Sequence, residues 1–267
     1  AVDYSEGVKT AYPQGVQAKE FILPKELLEQ DCVISLSKMK THALERITGA
    51  VKNSYGFVYG FHKAKGHTQY PSADSFARML IDLNKCVAPK LYVMDGIVAM
   101  EGNGPGSGDP VPMNVLLMST DPVALDSVFS RLVYLKPEMV PTNYHGEKMG
   151  LGTWKEEEIT LLTPDGEISM AEAVKKYGNP AFNVDRTEVR KNIWTRMAGA
   201  LNIFQKKPYI EADKCVRCGI CVQSCPVPGK AVDFRKGKGK PPVYDYRKCI
   251  RCFCCQEMCP KKAIKVK

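Results

Sequence analysis

The chain has 267 residues, 44% of them hydrophobic and 25% charged, with a formal net charge of +9 and 11 cysteines. That length suits two domains with buried cores, and no apolar run approaches the roughly 18 residues that span a bilayer. The charge is polarised: residues 209–267 hold 14 Lys and Arg against 5 Asp and Glu, an excess of 9, whereas residues 1–208 hold 24 of each.

In chain order, the stretch up to Gln17 shows neither helical nor strand periodicity. Residues 29–36 read as a short buried strand and 37–42 as the loop that ends it. A Gly- and aromatic-rich stretch at 55–61 precedes a helix that Ser72 caps. Its Phe76, Met79, Leu80 and Leu83 recur at three and four residues, and Cys86 at its end reads as a buried small apolar residue. Residues 91–95 form a second strand. Residues 101–110, with four Gly and two Pro, exclude regular structure. Residues 115–119 form a third strand, after which Asp121 caps a helix that opens on Pro122 and carries Leu125, Val128, Phe129 and Leu132 on its apolar face. A short strand at 159–162 and a helix boxed by Ser169 and Glu172 follow. A long amphipathic connector, with Val189, Ile193, Met197, Leu201 and Phe204 on one side, ends before Pro208.

The tail repeats one pattern: Cys215-Val-Arg-Cys218-Gly-Ile-Cys221-Val-Gln-Ser-Cys225-Pro226 and Cys249-Ile-Arg-Cys252-Phe-Cys-Cys255-Gln-Glu-Met-Cys259-Pro260. Three thiolates at three-residue spacing wrap a cubane, and the following Pro sends the fourth Cys to the other centre. The expected ligands are Cys215, Cys218, Cys221 and Cys259 for one 4Fe-4S cluster, and Cys249, Cys252, Cys255 and Cys225 for the second. A zinc site would pair separated C-x2-C units or mix in His, and the module has no His. A disulfide framework would need an oxidising compartment, yet all the Cys except Cys32 and Cys86 crowd one end. Cys254 breaks the repeat and reads as a spare thiol. Two oxidised clusters offset about 4 of the 9 positive charges; the run 235–240 and Lys261-Lys262 remain to attract an anionic partner.

Strands alternating with helices predict an α/β domain with a largely parallel sheet and flanking helices, here residues 1–184. A connector helix (185–208) and a small α+β ferredoxin-like domain (209–267) complete the chain. Ligands of such sheets bind beyond the carboxyl ends of the strands, which singles out the loops after Leu36, Asp95 and Ser119. Lys38, Lys40, His42 and Lys52 gather positive charge there and Asn53 adds an amide, which suits an anionic small molecule. Asp95 and Glu101 sit where oxygen ligands of a hard cation would sit. The glycines at 102–108 let backbone approach a ligand closely without matching a nucleotide-binding signature.

The same segments carry a resemblance. Lys38-Met-Lys-Thr-His42 with Thr48-Gly-Ala-Val-Lys-Asn53, Asp95-Gly-Ile-Val-Ala-Met-Glu-Gly-Asn-Gly-Pro105, and Asp121-Pro-Val-Ala-Leu-Asp126 together resemble the DUF362 family. Its prokaryotic members often end in a ferredoxin-like domain. The resemblance covers about residues 20–165. It implies a further N-terminal portion, with a Lys-Pro-Asn strand end and a Gly-Asp-Ser turn, that this sequence lacks.

The expectation is a redox protein with two 4Fe-4S clusters, working in a reducing prokaryotic cytoplasm. An acidic carrier of ferredoxin or flavodoxin type would meet the basic module, and the α/β domain would hold the substrate. Lys40 or His42 would act as acid, Asp95 and Glu101 would orient substrate or metal, and Lys38, Lys52, Asn53 and Asp126 would bind the ligand. The alternative is a non-catalytic carrier or maturation module. Nucleic acid is disfavoured because the basic run lacks interleaved aromatics.

Overall fold

The structure, a computed structural model, describes residues 4–60, 62–188 and 207–266. A hairpin of β1 (Gly7–Ala11) and β2 (Glu20–Pro24) leads into α1 (Lys25–Leu28). Next come β3 (Ile34–His42), β4 (Arg46–Thr48), α2 (Ala50–Asn53), α3 (His62–Gln69) and α4 (Ala73–Val87). After these follow β5 (Leu91–Glu101), β6 (Asp109–Ser119), α5 (Pro122–Leu132), α6 (Pro141–Lys148), the hairpin β7 (Leu161–Thr163) and β8 (Gly166–Ile168), and α7 (Met170–Tyr177). The cysteine module contains β9 (Pro208–Ile210), α8 (Ile220–Gln223), β10 (Val232–Asp233), β11 (Val243–Tyr244), α9 (Cys254–Glu257) and β12 (Ile264–Val266). Of the connector helix expected at 185–208, residues 189–206 lie outside the described residues, and 185–188, where it was expected to open, are not helical.

The principal sheet has the order β4-β3-β5-β6. Only β3 and β5 run parallel, in register from Ile34 opposite Leu91 to Lys38 opposite Asp95; the two outer pairs are antiparallel. The expected largely parallel sheet is therefore corrected to a mixed one. The reason is connection length: β3 to β4 and β5 to β6 are joined by short loops that can only turn back, whereas helices fill the crossover from β3 to β5. The strand expected at 159–162 pairs instead in the separate β7–β8 hairpin. The aperiodic N-terminal stretch contains β1, whose partner lies beyond an eight-residue loop and leaves no local signature.

The local signals for helices are realised. Ser72 Oγ accepts from Ser75 N at 3.1 Å, Asp121 Oδ1 from Val123 N and Ala124 N at 2.7 and 2.9 Å, and Ser169 Oγ from Glu172 N at 3.2 Å. The segment expected as a loop at 37–42 is instead the second half of β3. Its pattern is inverted: Ser35, Ser37, Met39 and Thr41 face inward, while Ile34 and Leu36 are 54% and 72% exposed. On the same outer face Leu116 and Met118 of β6 are 55% and 65% exposed. The inner face packs Met39, Met94 and Val115 against Phe129 and Leu132 of α5, and Met170, Phe182 and Val184 join this core. A second core joins Leu23, Val51, Phe76, Leu80 and Ile81.

The cysteine module is clasped by the glycine-rich β5–β6 loop. Gln256 Nε2 donates to Asn103 O and Gly104 O at 2.8 and 3.0 Å. Asn103 Nδ2 donates to Ile264 O at 3.1 Å, and Lys262 Nζ to Gly108 O at 3.0 Å. A Cβ on Gly106 would stand 2.7 Å from Glu257 O, so only glycine admits this approach. The loop expected to approach a ligand approaches the module instead.

Candidate iron-sulfur centres and the cavity beside them

The two cysteine motifs adopt one backbone twice. Arg217 and Gly219 have φ of 60° and 79°, and their counterparts Arg251 and Phe253 have φ of 56° and 60°. This alternation curls the chain so that successive thiols and backbone N–H groups face a common centre, and each copy then enters a single helical turn, α8 or α9. Glycine takes the left-handed position freely in the first copy; in the second the buried Phe253 holds it at a cost of about 1 kcal/mol or more.

Cys215, Cys218, Cys221 and Cys259 line one narrow cavity together with Ile210, Pro242 and Ile264, which gathers the set expected for the first cluster. Burial pushes the Cys221 thiol up to about 11, and Cys215, Cys218 and Cys259 add to the shift. On the other side, burial raises Cys249, with Cys252 and Cys225 acting on it. Burial likewise raises Cys255, where Cys252 and Cys249 contribute. These neighbours are the second expected set. Backbone N–H groups of Ala231 and Ala263 donate to Cys225 Sγ and Cys259 Sγ, each at 3.3 Å, and Tyr244 Oη lies 3.1 Å from Cys255 Sγ. Such donors to sulfur stabilise thiolate clusters and tune them.

Among the described residues no three His, Cys, Asp or Glu side chains converge on a single-ion site. Four thiolates around zinc would stand about 3.8 Å apart, given Zn–S bonds of about 2.3 Å; a cubane is gripped at its corners and keeps its sulfurs wider. Thiols ringing a cavity, with N–H donors behind them, fit 4Fe-4S clusters. The module's two sides also differ in exposure. In the first set Cys218 is exposed, Cys215 and Cys259 are half-buried and Cys221 is buried; in the second Cys225, Cys252 and Cys255 are buried and Cys249 is half-buried.

A cavity of about 840 Å³ lies where the buried set meets the α/β domain. Its α/β wall comprises Lys40, Thr48, Lys52, Asn53, Tyr55, Lys63 and His67, and its module wall includes Gln223, Cys225, Pro226, Lys230, Cys254 and Glu257. Burial, and then Lys52, pull the pKa of Lys40 and of Lys63 down. Lys230 Nζ is engaged by Cys225 O at 2.7 Å.

Of the residues expected to bind or catalyse, Lys40, Lys52 and Asn53 reach this cavity. Asn53 Nδ2 also donates to Leu36 O at 3.0 Å, tying α2 to β3. His42 is fully enclosed beside the cavity: its Nδ1 accepts from Leu44 N and Glu45 N, both at 3.1 Å, so Nε2 carries the proton toward Glu257 Oε1 at 3.2 Å. Burial, with Lys52 adding, holds its pKa at about 4, so the ring is neutral. Burial opposes the charge of Glu257, but the hydrogen bond from His42 and the field of Lys52 outweigh it and bring its pKa to about 2.

Four expected residues lie elsewhere. Lys38 Nζ pairs with Asp95 Oδ2 at 2.6 Å on the outer face of the sheet. Glu101 accepts from Asn183 N at 2.7 Å. Asp126, 1% exposed, accepts from Ala50 N and Val51 N at 2.5 and 3.1 Å and so anchors the start of α2. Lys38 and Lys40 stand two apart on β3 and so share a strand face, but Lys38 is taken up by its ion pair with Asp95 and the register with β5 shifts between the two lysines. Glu101 and Asp126 are consumed by their bonds to backbone N–H groups. The sequence reading missed Tyr55, Lys63, His67 and Glu257. The first three share a face only once the chain has turned at Gly60, and Glu257 arrives from 215 residues beyond His42.

The model of the Domain of unknown function (DUF362) matches residues 1–131, and that of the 4Fe-4S dicluster domain matches residues 207–260. The Thylakoid-associated protein sll1697 of Synechocystis sp. is 42% identical over 130 residues, which is 48% of this chain and 40% of that protein. The chain thus spans well under two thirds of that relative's length. No solved structure matches. Among the described residues no helix is long and apolar enough to cross a membrane. Motif, backbone and family comparison agree: the chain carries a DUF362 domain at residues 1–131 and a 4Fe-4S dicluster domain at residues 207–260.

Proposed function

We propose that this chain is an iron-sulfur oxidoreductase in which the dicluster module exchanges electrons with an anionic molecule held in the cavity against the α/β domain. The observation that carries the reading is the position of Cys225, which the crossed pattern assigns to the second cluster and which forms part of the cavity wall. Two 4Fe-4S clusters, bound by Cys215, Cys218, Cys221 and Cys259 and by Cys249, Cys252, Cys255 and Cys225, would supply one-electron transfer.

The protein's own groups divide the remaining work. Lys40, Lys52 and Lys63 attract and orient an anion at the cavity. His42 and Glu257 pin α9 to β3 and hold the two walls in register. At the opposite, exposed set, Arg217 Nη1 donates to Gly239 O at 2.7 Å, which folds the basic run 235–240 beside the first motif. That end suits an acidic electron carrier, whose approach positive charge would speed. The reading places the protein in a reducing cytoplasm, where thiolate ligands survive.

Anaerobically purified protein is expected to contain about eight irons per chain and to bleach with dithionite, and Cys225→Ser to lose about half of the iron. About two zincs and no bleaching would overturn the redox reading. If the reduced protein reoxidises at one rate whatever anion is supplied, while still passing electrons to an acidic carrier, the non-catalytic alternative holds instead.

A further inference from the structure

Three ammonium groups face the cavity from three elements: Lys40 from β3, Lys52 from α2 and Lys63 from α3. None has a hydrogen bond or ion pair through its ammonium group among the described residues. The carboxylate facing them from the module wall, Glu257, is already bound by His42. With Lys230, whose contact with Cys225 O leaves its charge in place, four ammoniums face one carboxylate, and the adjoining oxidised cluster would offset about two of them. An excess of positive charge remains in a partly enclosed, half-desolvated space, which costs free energy until an anion neutralises it.

Independent observations on the same wall point to a ligand. His67 is 4% exposed and its Nδ1 has no hydrogen-bond partner, and Thr48 is 2% exposed with Oγ1 equally unpartnered. Burial and the nearby Lys52 keep His67 neutral, with a pKa near 4, so Nδ1 can accept or donate according to the tautomer. Buried polar atoms without partners are rare and call for an occupant. The rest of the lining sets the apolar Tyr55, Ile220, Pro226 and Met258 beside the polar Asn53, Gln223, Ser224 and Lys230. The cavity falls within the roughly 300–1,000 Å³ that drug-sized organic ligands fill.

We propose that the cavity binds a phosphate-bearing organic molecule, its phosphate held by Lys40, Lys52 and Lys63 and its apolar body lying along Tyr55 and Met258. A phosphate monoester concentrates about two negative charges on three oxygens, which matches three separate ammoniums; a dicarboxylate spreads the same charge over two ends. The inference rests on the cavity being the ligand side of the redox unit. Its test reads binding alone, so its failure is distinguishable from failure of electron transfer.

The experiment is calorimetric titration of the iron-loaded protein with phenyl phosphate, inorganic phosphate and succinate. Phenyl phosphate is expected to bind saturably, at least tenfold more tightly than inorganic phosphate or succinate. Lys52→Gln and Lys63→Gln, with unchanged iron content and melting temperature, are each expected to weaken it tenfold or more, while Lys38→Gln, whose ammonium is paired with Asp95 outside the cavity lining, leaves it unchanged. Absence of saturable binding, equal affinity for succinate, or equal weakening by Lys38→Gln would overturn the proposal. Should Lys52→Gln prove misfolded, Lys63→Gln alone decides.

Discussion

Asp126 and the two enclosed histidines show how single buried groups set both stability and its pH dependence. Asp126→Ala would strand the N–H groups of Ala50 and Val51 inside the protein, so chemical denaturation is expected to show a loss of about 2 to 4 kcal/mol; Asp126→Asn, which keeps an acceptor, should lose less. Burial raises Asp126 to about 7. A carboxyl whose folded pKa is raised stabilises the fold fully only below its unfolded value near 3.9, and that stability is lost as pH rises through about 7. His42 and His67 act in the opposite direction. Both are held at about 4: His42 by burial with Lys52 and Lys40 adding, against Glu257; His67 by burial with Lys52 and His42 adding, against Glu257. Each is neutral when folded and charged below about 6.5 when unfolded, so stability drops between pH 6.5 and 4, by up to about 3 kcal/mol per group. His67→Gln should flatten that limb of the stability curve and leave the Asp126 limb in place; an unchanged acid limb would refute the assignment.

At the scale of elements, the β5–β6 loop and α9 form one joint. Gly106 lies against the Glu257 backbone, and the Gln256 amide spans Asn103 and Gly104. A methyl group at position 106 has nowhere to go without moving α9, which carries Cys254 and Cys255. Gly106→Ala is expected to cost about 1 to 3 kcal/mol and to speed proteolysis at the junction, with little effect on the β3–β5 core. Cleavage no faster than in the parent protein would show that the joint gives way elsewhere. The same reasoning covers the mixed sheet: short loops dictate two antiparallel pairs, and a helical crossover dictates the one parallel pair.

For the whole molecule, the cysteine module has an exposed, basic end and a more buried end that faces the cavity, and the proposed function assigns a different partner to each. Reversing charge at Lys236, Lys238 and Lys240 is expected to slow association with an acidic carrier about tenfold at low salt and to flatten its salt dependence. Iron content should be unchanged, as read by stopped-flow mixing across ionic strengths beside an iron assay. Phosphate-ester affinity at the far end should not respond, because the distance and the intervening salt screen those charges.

The cluster motifs, the helix caps at Ser72, Asp121 and Ser169 and the concentration of basic charge in the tail were legible in the amino-acid order, because each depends on neighbours within a few residues. Lys40 and Lys52 were legible as candidates through their loops, though not their separation from Lys38, Asp95, Glu101 and Asp126. The extent of β3 was hidden: the strand expected at 29–36 starts at Ile34 and runs on to His42, because its inward row includes Ser35, Ser37 and Thr41 while Ile34 and Leu36 point outward, the reverse of the usual alternation. Pairings across long sequence distances came only from the folded chain: His42 with Glu257, the glycine loop with Gln256, and Lys63 and His67 with Cys225 around one cavity. Such contacts are set by how sheet, helices and module pack in space, a packing that local spacing does not encode.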